Sequence, residues 1–212
     1  MQTIKINLDN TTEKEIDLIV DCLKRGQVIA YPTETVYGLG CDARNSEAVK
    51  KINRIKGENK KKPLIVLISD FKMLKKYCFV NSLQMEYLKK VWREPNATPL
   101  APLVRGVKQG PITVILKRRP ILPAELTGGL NSLALRLPKS DFLIKMIDRA
   151  GFPIVSTSLN KKGEKTLASV KNLEKYFKYL PDLAIDAGKC KKAKSSRLID
   201  LRDIKNIKVI RK

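Results

Sequence analysis

VIAYPTETVYGLG, residues 28–40, carries the reading of the fold. Residues 28–31 form a short uninterrupted apolar run, the pattern of a strand buried on both faces. The residues after it read as a loop, and an unusual one. Thr33, Glu34, Thr35 and Tyr37 place polar-tipped side chains between the strand and two glycines, Gly38 and Gly40. A connection that only had to reverse the chain would be shorter. The stretch predicts a strand feeding a loop built for contact.

Working outward, TIKINL (3–8) alternates apolar and polar residues and reads as a strand. Thr12 and Glu15 have capping-box spacing, and Ile16, Ile19, Val20 and Leu23 then mark one face of a helix that stops at Gly26. A second helix starts near Ser46, turns Val49, Ile52 and Ile55 inward, and ends in KGENKKKP. LIVLI (64–68) is a buried strand, with Asp70 placed to cap a short helix after it. Residues 83–92 read as a helix, and ITVIL (112–116) and LALRL (133–137) as strands. A helix near 141–150, the strand PIVS (153–156), a helix near 169–177 and strands at LAID, RLIDL and IKVI complete the chain. Strands and helices interleave without strict alternation. The expected fold is α/β, a single domain over residues 1–212 with a twisted, open, mixed sheet flanked by helices. Residues 93–109 carry three prolines and no clear period, so they read as an exposed, passively tolerated insertion.

Composition removes several chemistries. The chain has no histidine, which excludes His-based triads and His-ligated zinc. Its four cysteines, Cys22, Cys41, Cys78 and Cys190, are scattered, and no metal site from protein side chains is expected. No run of about 18 uncharged apolar residues and no secretion leader occurs, so the expected location is cytoplasmic, with no membrane partner. The net charge of +22 favours polyanions such as RNA or nucleotides, although the lysines are spread along the whole chain.

Four polar clusters fall at predicted strand ends, where open α/β sheets place ligands. They are YPTETVYG, KGENKKKP, STSLN (156–160) and KAKSSR (192–197). Ser and Thr at such places are also common turn formers, and loop lysines are usually solvated. Lys56 and the lysines after it have the charge to neutralise phosphates. In an extended STSLN, Ser158 and Asn160 would face the same way. Arg136 interrupts an otherwise apolar strand and needs an anionic partner. That partner is either a ligand carboxylate or an internal one such as Asp186 or Asp200. Neither G-x-x-x-x-G-K-[ST] nor a G-x-G-x-x-G after a strand occurs, which removes the P-loop and Rossmann readings.

YPTETVYGLG, the K-G-x…P-L-I-V segment, GPITVIL, LRLP, TSLN and S-x-x-I-D, in this order along the chain, resemble the YrdC-like family of threonylcarbamoyl-AMP synthases, in its single-domain form. The resemblance implies a nucleotidyltransferase that converts L-threonine, bicarbonate and ATP, with Mg²⁺ on the triphosphate, into L-threonylcarbamoyl-adenylate and pyrophosphate. It further implies downstream proteins that transfer the group to tRNA for N6-threonylcarbamoyladenosine, and leaves room for direct tRNA or double-stranded RNA contact. Carried over by position, Thr35, Arg136 and Ser156 would hold threonine. Lys56, Lys62, Ser132, Ser158, Asn160 and Ser196 would face ATP, with Lys56, Ser158 and Asn160 closest to the chemistry. Three departures stand out: Glu58 where the family carries arginine, Leu67 where it often carries histidine, and a W-P-G-P run split between Trp92 and Gly110-Pro111. The alternative from another class is a non-catalytic YrdC-like domain that binds RNA.

Overall fold

Every residue from Val28 to Tyr31 is buried, and alternate members face different cores. Ile29 and Tyr31 pack among Ile16, Ile19, Leu23, Phe142 and Ile147, whereas Val28 and Ala30 pack among Val49, Ile52 and Leu39. The run is continuously apolar because both sheet faces are covered there.

The computed structural model describes residues 1–57, 62–93, 111–190 and 196–211. The strands are β1 (Gln2–Lys5), β2 (Ile29–Pro32), β3 (Tyr37–Gly40), β4 (Ile65–Leu67), β5 (Ile112–Lys117), β6 (Ser132–Arg136), β7 (Ile154–Ser158), β8 (Leu183–Asp186), β9 (Arg197–Asp200) and β10 (Lys208–Arg211). The helices are α1 (Glu13–Lys24), α2 (Ser46–Lys56), α3 (Phe71–Tyr77), α4 (Ser82–Arg93), α5 (Ala124–Thr127), α6 (Asp141–Ala150) and α7 (Leu173–Tyr176). Among the described residues the strands form one open sheet in the order β1-β8-β2-β3-β7-β4-β6-β5-β9-β10. Parallel pairs (β1 with β8, β8 with β2, β4 with β6, β5 with β9) alternate irregularly with antiparallel ones, which is the mixed α/β sheet expected.

The stretch at 28–40 is a hairpin, not a strand and a loop. β3 pairs antiparallel with β2 from Ile29 opposite Gly40 to Pro32 opposite Tyr37, and only residues 33–36 turn. The glycines of YGLG hide the second strand, since glycine is a poor strand former. Gly40 is there for packing: a Cβ on it would lie 2.6 Å from the Tyr31 ring and 2.8 Å from the Val155 carbonyl oxygen.

Local signals elsewhere behave as their chemistry dictates. The Thr12 hydroxyl accepts from the Glu15 N–H at 3.3 Å while the Glu15 carboxylate accepts from the Thr12 N–H at 2.7 Å, closing the capping box of α1. Such a cap contributes about 1 kcal/mol. Asp70 caps α3 through the Met73 N–H. The first strand is shorter than its alternation suggests, because Leu8–Asn10 closes into a 3-10 turn held by the Asn7 side chain. The helix expected near 169–177 contracts to the single turn of α7, entered through Asn172 in the left-handed region (φ 57°). Of the segment read as an insertion, only Arg93 is described, as the last residue of α4; 94–109 lie outside the described residues.

One face of the sheet is covered throughout by α2, α4 and their neighbours, with Val66, Val114, Leu116, Leu133, Leu135, Val155 and Ile199 pointing into that core. The other face is covered by α1 and α6 only over part of its width. Ile154 and Leu67 mark the boundary of that cover. Two residues beyond Ile154 on the same face comes Ser156, then Ser158, and there the sheet is open.

Candidate active site

The uncovered part of that face forms the floor of a cleft of about 470 Å³. Period-two positions supply it: Ser132, Ala134 and Arg136 from β6, Ser156 and Ser158 from β7, Ile65 and Leu67 from β4, Gly38 from β3. Mostly small side chains stand where a docked helix would need large ones, so the face holds a cavity instead of a core. The site therefore lies across a sheet face, with Ser156 and Ser158 of the STSLN cluster on its floor.

Of the residues expected at the site, Thr35, Lys62, Ser132, Arg136, Ser156, Ser158, Asn160 and Ser196 all line this one cleft. They come from five separated places in the chain. The stretch of hairpin between β2 and β3 makes one wall. Thr33 organises it: its hydroxyl donates to the Val36 carbonyl at 2.6 Å and accepts from the Thr35 and Val36 N–H groups, both at 3.1 Å. Thr35, 4% exposed, then faces the cleft. Tyr37 works outside it, donating to the Gly188 carbonyl (2.8 Å) and accepting from the Ala187 N–H (2.9 Å), which ties the hairpin to the end of β8. Polar side chains thus serve the wall's construction as much as its surface.

Lys56, expected at the phosphates, does not line the cleft. It is 2% exposed, and its ammonium donates to the Ser158 carbonyl (2.8 Å), the Asn160 carbonyl (3.0 Å) and Asn160 Oδ1 (3.0 Å). Its position at the end of α2 points it beneath the turn after β7, so it holds Ser158 and Asn160 in place from behind. Ser158 Oγ in turn donates to Asn160 Oδ1 at 2.5 Å, and Asn160 Nδ2 donates to the Lys161 and Glu164 carbonyls. Ser158 and Asn160 do face the same way, but they bind each other. Glu58, Lys60 and Lys61 lie outside the described residues, as do Lys192, Lys194 and Ser195 of the last cluster.

Arg136 is 7% exposed, and its guanidinium pairs with Glu34 at 2.6 Å. Neither carboxylate considered from the sequence takes this role: Asp186 accepts from the Gly188 N–H, and Asp200 is held by Arg202. Glu34 Oε1 also accepts from the Lys139 N–H (3.2 Å), while Glu34 Oε2 and Arg136 Nε are buried without hydrogen-bond partners. The pair leaves donor capacity beside the cleft unspent.

Reading the sequence missed Arg211 and Lys162, which also line the cleft. Arg211 Nε and Nη2 donate to the Ser196 carbonyl at 2.9 and 2.7 Å. The rank of lysines near both hid them, and no spacing signal marks either. Among the described residues no three Cys, Asp or Glu side chains converge to hold a metal.

Several phenols and thiols are buried in the two cores of the sheet. Burial pushes the Tyr37 phenol up to about 12 and the Cys78 thiol up to about 12, and drives Tyr31 and Cys41 upward as well. These groups stay protonated in the fold above the pH at which the unfolded chain loses its protons, from 9.0 for the thiol and 10.0 for the phenol. Raised folded values give stability that is complete below the unfolded values and disappears as pH climbs through the folded ones. The melting temperature is therefore expected to fall steeply between about pH 9 and pH 12. Calorimetry across that range checks it, and a midpoint that stays level to pH 12 would contradict the burial assigned to these groups.

The comparisons with known proteins agree with this architecture. Residues 21–212 match the Sua5/YciO/YrdC family, described as telomere recombination. The chain is 31% identical over 202 residues to the threonylcarbamoyl-AMP synthase of Pyrococcus abyssi, covering 95% of this chain and 55% of the relative. It thus spans about half the length of that protein. A crystal structure of P. abyssi Sua5 complexed with L-threonine has a TM-score of 0.80 at 29% identity, covering 95% of this chain and 54% of that one. E. coli YciO has a TM-score of 0.80 at 27% identity, covering 100% of this chain and 95% of its own. Sequence pattern, sheet order and relatives lead to one assignment: the chain belongs to the Sua5/YciO/YrdC family.

Proposed function

We propose that this chain is an L-threonylcarbamoyl-adenylate synthase acting on L-threonine, bicarbonate and ATP. The carrying observation is the open sheet face, where a buried arginine, a set of hydroxyls and further cations converge on one cleft. The names of the relatives support a synthase over a non-catalytic RNA-binding domain.

The chemistry suits these residues. The threonine amine adds to bicarbonate with loss of water, giving a carbamate. A carbamate oxygen then attacks the α-phosphate, the bond from that phosphorus to the bridging oxygen breaks, and pyrophosphate leaves. No protein nucleophile is required; positioning and stabilisation of phosphate charge do the work. Thr35, Ser156 and Arg136 would hold threonine, the guanidinium fork matching its carboxylate. Lys62, Ser132 and Ser196 would face the nucleotide, and Lys56 acts behind Ser158 and Asn160 as a positioning residue. Mg²⁺ belongs to the substrate here, arriving on the triphosphate. The product would pass to proteins that transfer the group to tRNA. The compartment would be the cytoplasm, and among the described residues no helix is long and apolar enough to cross a membrane.

The decisive experiment is mass spectrometry of a short incubation with ATP, Mg²⁺, L-threonine and labelled bicarbonate, omitting each in turn. A labelled adenylate that requires all components is the expected result. Its absence from a preparation that binds ATP would end the proposal and bring salt-sensitive RNA binding to the fore.

A further inference from the structure

The bend between β2 and β3 gives neighbouring side chains different tasks. Thr33, Thr35 and Val36 line the cleft, and Glu34 does not. Glu34 instead reaches the guanidinium of Arg136: its Oε1 lies 2.6 Å from Nη2 and also accepts from the Lys139 N–H at 3.2 Å. Arg136 itself does line the cleft, so a carboxylate that stays out of the cleft neutralises a cation that faces it.

The pair is close but incompletely made. Nη2 is not aligned on Glu34 as a hydrogen-bond donor, Arg136 Nε has no partner, and Glu34 Oε2 is buried with none. A pair serving the fold alone would be expected to satisfy both groups, because half-satisfied buried charge is costly. What this pair achieves is electrostatic: Glu34 cancels the charge of Arg136 and leaves it N–H groups for a ligand. Elsewhere in the cleft the contrast is plain, since neither Lys162 nor Arg211 pairs with a carboxylate among the described residues.

We infer that Glu34 is a specificity-determining residue, whose carboxylate bars polyphosphate from Arg136 while leaving that arginine to the threonine carboxylate. The inference rests on the synthase reading and deepens it. The reaction brings two kinds of anion into one cleft, a single carboxylate and a triphosphate that leaves as pyrophosphate. A bare guanidinium fits both, because its fork matches phosphate as well as carboxylate. Telling them apart therefore calls for a repulsive element as well as an attractive one. A carboxylate needs hydrogen bonds more than net charge and can use the open N–H groups. Polyphosphate, with several charges, meets the repulsion of Glu34 and no net cation to offset it.

The test is calorimetric titration of the whole chain with L-threonine and with inorganic pyrophosphate, each alone and then in the presence of the other. In wild type, pyrophosphate is expected to leave threonine affinity unchanged. Glu34→Gln keeps the size and an acceptor for the Lys139 N–H but drops the charge. It should gain a pyrophosphate site that competes with threonine, so that pyrophosphate at ten times its dissociation constant there weakens threonine binding about tenfold. Glu34→Asp, which keeps the charge, should show no such competition, and adding Arg136→Gln to Glu34→Gln should remove the new pyrophosphate site. Circular dichroism melts set the temperature at which each variant is titrated folded. A residue that merely braces Arg136 predicts the opposite pattern, weaker threonine binding in Glu34→Gln with no competition, and that result overturns the assignment. So does competition of equal strength in wild type. An Arg136-dependent pyrophosphate site gained by Glu34→Gln in a protein that binds no threonine would leave the barrier standing and sink the synthase reading alone.

Discussion

Replacing Arg136 with alanine is expected to raise the L-threonine concentration needed for half-maximal adenylate formation by about 100-fold, while the ATP requirement moves by only a few-fold. Arg136 is 7% exposed and sits against Glu34, with its Nε unspent beside the cleft. Truncating one partner of a buried, hydrogen-bonded charge pair costs about 2–5 kcal/mol, part of it from the charge left behind. Here the charge left behind is Glu34, whose Oε2 already lacks a partner. The alanine variant should therefore also melt lower than wild type. Arg136→Lys should recover stability better than threonine affinity, since an ammonium can answer Glu34 but cannot offer a fork to a second carboxylate. Steady-state kinetics with each substrate varied in turn provides the check. Equal rises in both requirements would make the Arg136–Glu34 pair purely structural.

The second large effect is expected at Gly40. A Cβ there meets the Tyr31 ring at 2.6 Å and the Val155 carbonyl oxygen at 2.8 Å, and the second of these is backbone that cannot rotate away. Tyr31 is fully buried, so its ring has nowhere to go. Overpacking of this kind costs about 3 kcal/mol for Gly40→Ala and more for Gly40→Val. For a chain of this size that lowers the melting temperature by about 6–12 °C. Gly38, two residues back on the same strand, is the control: a Cβ placed there would have its nearest neighbour at 3.2 Å, so Gly38→Ala should be markedly milder. Thermal melts of both alanine variants decide it; matching losses would mean that β3 has slack against Tyr31.

Much of this was legible in the chain itself, and the failures share a cause. Apolar runs and caps located β2, β4, β5 and the starts of α1 and α3, because those signals act within a few residues. The hairpin was concealed because Gly38 and Gly40 are chosen by what crosses them, Tyr31 and the backbone of β7, which lies more than a hundred residues away. The candidate residues gathered into one cleft, yet their division of labour was invisible. Lys56 reads as a loop lysine until the turn after β7 is laid over it. Glu34 reads as one more polar residue of the bend until β6 brings Arg136 against it. Arg211 gave no signal at all, since its partner Ser196 is recruited by strand pairing at the far edge of the sheet.

The order of the sheet also sets a timetable for synthesis. β1 takes its place only against β8, Gln2 opposite Leu183, and β8 simultaneously seals the side of β2. On the ribosome β1 must wait unpaired until β8, at residues 183–186, has emerged, and contacts of such long separation form slowly. Residues between them can assemble the hairpin and its covering helices first. Closure by β8 is then the late step, and the interval before it is when an exposed strand edge is open to association with other chains.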